Sequence, residues 1–168
     1  MNNIEKNTTS IKAFAAKLGF DHCGIAKAQQ LDEDARRLER WLSKGMQGSM
    51  QYMEDHFDLR IDPSRLVPGA KSVITLLLNY FPAQQQSDAA PKISKYAFGN
   101  DYHEVIRTKL KIFLQQIKEQ VGEINGRGFV DSAPVLERAW AQKAGIGWIG
   151  KNGNLISKQS GSFFLLPR

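Results

Sequence analysis

Ser72-Val73-Ile74-Thr75-Leu76-Leu77-Leu78-Asn79 is a near-continuous apolar run, bounded by turn signals at Pro68-Gly69 before it and Pro82 after it. Such a run has no regularly wet face, so it reads as a strand buried on both sides and as the centre of a sheet. Upstream of it, Ile11, Phe14, Ala15 and Leu18 fall at helical spacing from Ser10, with Gly19 as a stop. Asp21 to Ala26 then reads as a short strand in which Cys23 is a small core residue. A second helix from Asp32 to Lys44 turns Leu38, Trp41 and Leu42 inward, carries Glu33, Asp34, Arg36, Arg37 and Arg40 outside, and ends at Gly45. Gly48 to Met53 holds two methionines and a tyrosine, either a packing stripe or a flexible apolar wall. At Asp62-Pro63 the proline bends the chain, and Arg60 is expected to project there.

Downstream of the strand, Ala83 to Pro91 is polar and aperiodic and reads as an exposed loop. Lys92 to Tyr96 reads as a short strand leading to His103. A long amphipathic helix follows from Asp101 to about Val121, with Val105, Ile106, Leu110, Phe113, Leu114 and Ile117 on its buried face. His103 has no second histidine, cysteine or carboxylate at ligand spacing, so it reads as a hydrogen-bonded side chain rather than a metal ligand.

In Gly128-Phe129-Val130-Asp131-Ser132-Ala133-Pro134 a brief apolar run delivers Asp131 and Ser132, both good N-caps, to the expected start of a helix, with Pro134 in its first turn. That helix places Val135, Leu136, Ala139 and Trp140 on one side and stops at Gly145. The spacing Gly145-x-Gly147-x-x-Gly150 follows a helix rather than a strand, so the context of a dinucleotide site is missing. Its glycines bring backbone, Trp148 and Lys151 close to another group. Asn154 to Ser157, a turn at Gln159-Ser160-Gly161, and Ser162 to Leu166 read together as a final hairpin.

The 168 residues, 42% hydrophobic and 24% charged, suit one soluble domain spanning 1–168. No run of about twenty apolar residues and no signal-peptide pattern is present, so no membrane partner and a cytoplasmic location are expected. The net charge of +6 is spread over Arg36, Arg37, Arg40, Lys92, Lys95, Arg107, Lys109 and Lys111, a balance compatible with a phosphate-rich partner. With Cys23 as the single cysteine, the chain can build neither a disulfide framework nor a cysteine-ligated iron–sulfur cluster.

Several long strings carry a family resemblance: Phe129 to Arg138, Gly145 to Asn152, Arg60-Ile61-Asp62-Pro63, Leu66 to Ile74, and Lys92 to His103. Together and in this order they resemble the epoxyqueuosine reductases, cobalamin- and iron–sulfur-dependent enzymes that finish queuosine in tRNA. The resemblance implies an α/β fold with a mixed, mostly antiparallel sheet flanked by helices. It further implies the N-terminal cobalamin-binding, catalytic portion of such an enzyme, cut before the ferredoxin-like domain that carries the [4Fe-4S] clusters. The partners would be tRNA carrying epoxyqueuosine and an electron donor, and the chain is expected to be a monomer.

By the same resemblance Asp131 is the acid that protonates the departing epoxide oxygen, and Arg60, Tyr96, His103, Ser132, Lys151, Asn152 and Leu155 border cofactor or substrate. An apolar pocket of Phe129, Val130, Pro134 and Trp148 would raise the pKa of Asp131 by desolvation, while a helix N-terminus would oppose that. The alternatives are a cobalamin-binding module or carrier without reductase activity, and a truncated product that folds poorly.

Overall fold

A computed structural model describes residues 3–131 and 133–168. In chain order the helices and strands are α1 (Asn3–Lys17), β1 (His22–Lys27), α2 (Asp32–Ser43), α3 (Tyr52–Asp55), α4 (Phe57–Ile61), α5 (Pro63–Leu66), β2 (Ser72–Asn79), α6 (Tyr102–Val121), α7 (Glu137–Lys143), β3 (Trp148–Ile149), β4 (Leu155–Ile156) and β5 (Phe164–Leu165).

The apolar run is β2, and it is central as its pattern requires: the sheet order is β1-β2-β5, antiparallel throughout. His22 lies opposite Leu77 and Lys27 opposite Ser72, while Leu78 and Asn79 lie opposite Leu165 and Phe164. Because side chains alternate across a strand, Leu76 and Leu77 serve opposite faces. Leu76 joins Ile11, Ala15, Phe20, Ile106, Leu110, Phe113 and Ile117 under α1 and α6. Leu77 joins Ala141, Leu155 and Phe164 beside α7. The fold is therefore the expected mixed α/β arrangement with antiparallel pairing and helices on both sides.

The chain after Gly161 continues this sheet beyond β5. Tyr80 N–H donates to Phe163 O at 3.0 Å and Leu76 N–H to Pro167 O at 2.9 Å. Arg168 and Phe129 then exchange backbone hydrogen bonds, at 2.5 and 3.2 Å. The segment before Asp131 is thereby tied to the sheet through residues 163–168. On the opposite edge, a Cβ at Gly24 would lie 2.7 Å from both Ala144 Cβ and Ile146 Cγ1, so a glycine there allows the end of α7 to close on β1.

Four expectations about elements change. Helix α1 starts at Asn3 rather than Ser10, its first two turns standing largely in solvent. Lys92 to Tyr96 is not a strand; no neighbouring edge receives it, and the chain instead forms a 3-10 turn over Lys95–Ala97. Helix α7 starts at Glu137, after Leu136, so Asp131 caps no helix and Pro134 lies outside one. Leu155 and Ile156 pair with Ile149 and Trp148, not with the last strand, because Gly150 to Asn154 closes a tight turn in which Gly150 N–H donates to Asn154 O at 2.9 Å; of the expected final hairpin the turn forms, with Ser157 and Gly161 exchanging backbone hydrogen bonds at 2.8 and 2.9 Å. The Ala83 to Pro91 stretch is a loop, as expected.

Leu77→Ala in the centre of the sheet should cost about 2–5 kcal/mol by urea denaturation. Ile112→Ala on the outside of α6 should stay within about 0.5 kcal/mol. Comparable losses for the two would contradict a two-faced β2. Burial pushes the Cys23 thiol up to about 11, so the native chain should resist a thiol reagent at about pH 8 and react once unfolded.

Candidate functional site

The N-terminus of α6 gathers the chemistry. Asp101 is its N-cap: Oδ1 accepts from His103 N–H at 2.9 Å and contacts His103 Nδ1 at 2.8 Å. The His103 amide, with the ring second, holds the Asp101 carboxyl below the usual carboxylate range. Capping thus orients the imidazole as well as the helix, and directs Nε2 outward.

Asp131 arrives from the other side, on the loop between Phe129 and α7. Its φ of +55° makes it the one non-glycine in the left-handed region among the described residues, a conformation aspartate tolerates better than most. Tyr102 Oη donates to Asp131 Oδ2 at 2.5 Å, and His103 Nε2 lies 3.4 Å from the same oxygen. Tyr102 and His103 stack at 4.0 Å, and Tyr96 meets Tyr102 edge-on at 6.0 Å. With Nδ1–H given to Asp101, a lone pair on Nε2 would face a carboxylate oxygen. An imidazolium, donating to Asp101 on one side and Asp131 on the other, satisfies both contacts. The cluster is a place to hold a proton beside a carboxylate.

Desolvation, and next the hydrogen bond to Asp131, push the Tyr102 phenol up to about 12, so it stays a donor. The Asp131 side chain is 56% exposed, so the expected apolar pocket is absent: Val130 turns into the core and Trp148 sits on the β3–β4 hairpin. The N-terminus of α7 does not act on Asp131 either, since that helix begins only at Glu137.

Behind the loop lies Arg168, whose side chain is almost fully buried. Its Nη1 pairs with Glu137 Oε1 at 2.9 Å and its Nη2 donates to Ala133 O at 3.2 Å, so one guanidinium spans the loop and the first turn of α7. Burial lowers its pKa, opposed by the charges of Glu137 and Asp131.

Of the residues singled out from sequence, Tyr96, His103 and Asp131 come together. Ser132 lies outside the described residues. Lys151 and Asn152 form the tip of the β3–β4 hairpin, where Asn152 Oδ1 accepts from Asn154 N–H at 3.1 Å and Arg138 Nη1 donates to Gly153 O. Arg60 does not project from the bend. It lies in α4, only 9% exposed, with Nη2 donating to Tyr52 O at 3.0 Å and Nε buried without a partner among the described residues. The bend falls after it, where Asp62 caps α5 through Ser64 N–H. Leu155 is 2% exposed, packed in the core with Leu77, Ala141 and Phe164. Met50 and Tyr52 remain exposed rather than packing as a stripe.

Sequence reasoning missed Tyr102 and Arg168. An aromatic next to an N-cap aspartate was a usable signal for the first; a lone arginine after a proline gave none for the second.

Comparison with known proteins follows the same lines. Residues 60–132 match the family described as epoxyqueuosine reductase QueG, DUF1730. An epoxyqueuosine reductase of Cellulophaga algicola is 58% identical over 166 residues, which cover 99% of this chain and 54% of the relative. The chain spans about half the length of the curated relatives it matches. A Streptococcus thermophilus epoxyqueuosine reductase superposes with a TM-score of 0.86 at 29% identity, covering 95% of this chain and 44% of that one. An epoxyqueuosine reductase solved with an epoxyqueuosine-modified tRNA-Tyr stem loop superposes with a TM-score of 0.82 at 27% identity, covering 98% of this chain and 45% of that one.

In an alkaline titration followed by tyrosinate absorbance, Tyr102 should ionise near pH 12, and Asp131→Asn should bring it partway back toward about 10. The raised native value means that the unfolded phenol loses its proton first. Between about pH 10 and 12 Tyr102 therefore makes stability fall as pH rises, and Tyr102→Phe removes that part of the slope. A Tyr102 that titrates near 10 in the unaltered chain would contradict the contact.

Proposed function

We propose that this chain, related over nearly its whole length to the epoxyqueuosine reductases, is the catalytic and cobalamin-binding portion of such an enzyme, reducing epoxyqueuosine to queuosine in tRNA. The observation that carries the reading is the contact of one exposed carboxylate, Asp131, with both Tyr102 and His103 at the mouth of α6.

Removing an epoxide oxygen takes electrons at carbon and protons at oxygen. Asp131 delivers the proton to the departing oxygen. Tyr102 fixes Oδ2, which leaves Oδ1 as the oxygen that carries the transferable proton. His103, held between the Asp101 and Asp131 carboxylates, stores the replacement proton and passes it to Asp131 after turnover. The strained backbone and the buried Arg168 keep the carboxylate presented from a loop rather than sunk in a pocket.

The β3–β4 hairpin suits a large flat ligand edged with amides and a phosphate. Trp148 exposes its ring there, and Lys151 and Asn152 bring an ammonium and an amide to the adjacent tip. These three would hold cobalamin, with Arg60 and Leu155 left to the core. Bound cobalamin would supply the electron-rich centre for attack at the epoxide carbon. With Cys23 as its single cysteine, the chain itself supplies no cysteine ligand set for an iron–sulfur cluster. No helix among the described residues is long and apolar enough to cross a membrane, and a tRNA substrate implies the cytoplasm.

In a full-length relative, the substitution matching Asp131→Asn should lower turnover of epoxyqueuosine-modified stem loop by about 10²- to 10⁴-fold with cobalamin affinity unchanged. The substitution matching His103→Gln should lower it less. Full turnover in the Asp131→Asn counterpart would remove the acid role.

A further inference from the structure

The rings of the site do not stop at Tyr102. Phe81 meets Phe163 edge-on at 5.0 Å, Phe163 meets Tyr80 at 5.7 Å, Tyr80 meets Tyr96 at 6.3 Å, and Tyr96 meets Tyr102 at 6.0 Å. An unbroken line of aromatic contacts thus leads from the surface to the carboxylate of Asp131. It is assembled from distant stretches: Tyr80 and Phe81 just after β2, Tyr96 on the 3-10 turn, and Phe163 just before β5. Pairing of Tyr80 N–H with Phe163 O locks two of these stretches together.

This ridge is not core. Phe81 and Tyr96 are each 49% exposed and Phe163 is 38% exposed, an unusual outlay of apolar ring surface on a chain with buried alternatives nearby. Interplanar angles from 70° to 90° fix each ring against the edge of the next, so the exposed surfaces are held rather than free to collapse. Lys95 sits on top, its Nζ 4.1 Å from the Phe81 ring centroid and 5.3 Å from that of Phe163. Among the described residues Lys95 forms no ion pair, so its charge remains available to a partner. Exposed ring surface beside a cation that pairs with no carboxylate matches a polymer that offers flat rings and a repeated negative charge, which is unpaired nucleic acid.

We propose that Phe81, Phe163 and Tyr96 form a stacking platform for unpaired bases of an RNA loop, with Lys95 on an adjacent phosphate, and that this platform delivers the nucleotide to be modified to Asp131. The proposal rests on the reading that the substrate is tRNA, and it names the surface that holds the loop. A base-paired stem cannot use the platform, because its ring faces are already stacked.

The test is binding of this chain to an RNA hairpin carrying 2-aminopurine in a seven-nucleotide loop, with a blunt duplex of equal length as comparison. Phe81→Ala and Tyr96→Ala should each weaken hairpin binding about 5- to 150-fold and lose the stacking-induced change in 2-aminopurine fluorescence, with duplex binding unchanged. Phe81→Tyr and Tyr96→Phe, which keep the ring, should bind as the unaltered chain does. Lys95→Ala should reduce the salt dependence of hairpin binding by about one charge. These side chains are half-exposed, and circular dichroism checks that the variants are folded. Hairpin binding equal in the alanine variants and the unaltered chain would overturn the platform and leave the tRNA reading standing. Parallel loss of hairpin and duplex binding would overturn it too, by pointing to charge alone. No binding of either RNA by the unaltered chain would overturn the tRNA reading and the platform with it.

Discussion

The rest of the structure depends on β2 being covered on both faces and paired along both edges. Leu76 and Leu77 are adjacent in the chain and belong to different cores, so any segment that contributes to both must cross the sheet. The segment that begins at Phe129 makes such a passage. Val130 is buried with Leu76 under α1 and α6, whereas Val135, Ala139 and Trp140 lie in the cluster with Ala26 and Leu31. At the start of this connection Asp131 takes the left-handed conformation. The position of the Asp131 carboxylate is in this sense a consequence of how the two cores are connected.

Two contacts keep that passage fixed, and both come from far away in sequence. Tyr102 reaches Asp131 from the N-terminus of α6, and Arg168 reaches Ala133 and Glu137 from the end of the sheet. A backbone held in a sparsely populated region persists when its surroundings over-determine it, and such strain is commonly found at sites of function. The buried Arg168–Glu137 pair adds rigidity more than net stability, since desolvating a guanidinium offsets much of the Coulomb gain.

The parts of this arrangement that could be read from sequence are those set by local pattern. The unbroken apolarity of Ser72 to Asn79 marked the central strand, and the spacing of Ile106, Leu110, Phe113 and Ile117 marked α6. Family resemblance pointed to Asp131, His103 and Tyr96, which the fold gathers around Tyr102. What failed depended on distant partners. Asp131 and Ser132 look like N-caps, yet the Asp131 carboxylate is taken by Tyr102, and α7 starts only at Glu137. Arg60 precedes the bend at Asp62-Pro63 and so looked exposed, but Tyr52 covers it with a backbone carbonyl and a ring. Leu155 came from the resemblance alone, and its side chain is buried with Leu77. Arg168 offers no local pattern at all, and its importance exists only in three dimensions.

Whether the hairpin carrying Trp148, Lys151 and Asn152 is a cofactor site within this chain is best decided by an absorbance titration of the purified chain with cob(II)alamin. The arrangement described here predicts a saturable spectral shift that weakens in Trp148→Ala. No shift, in a chain that circular dichroism shows to be folded, would contradict it.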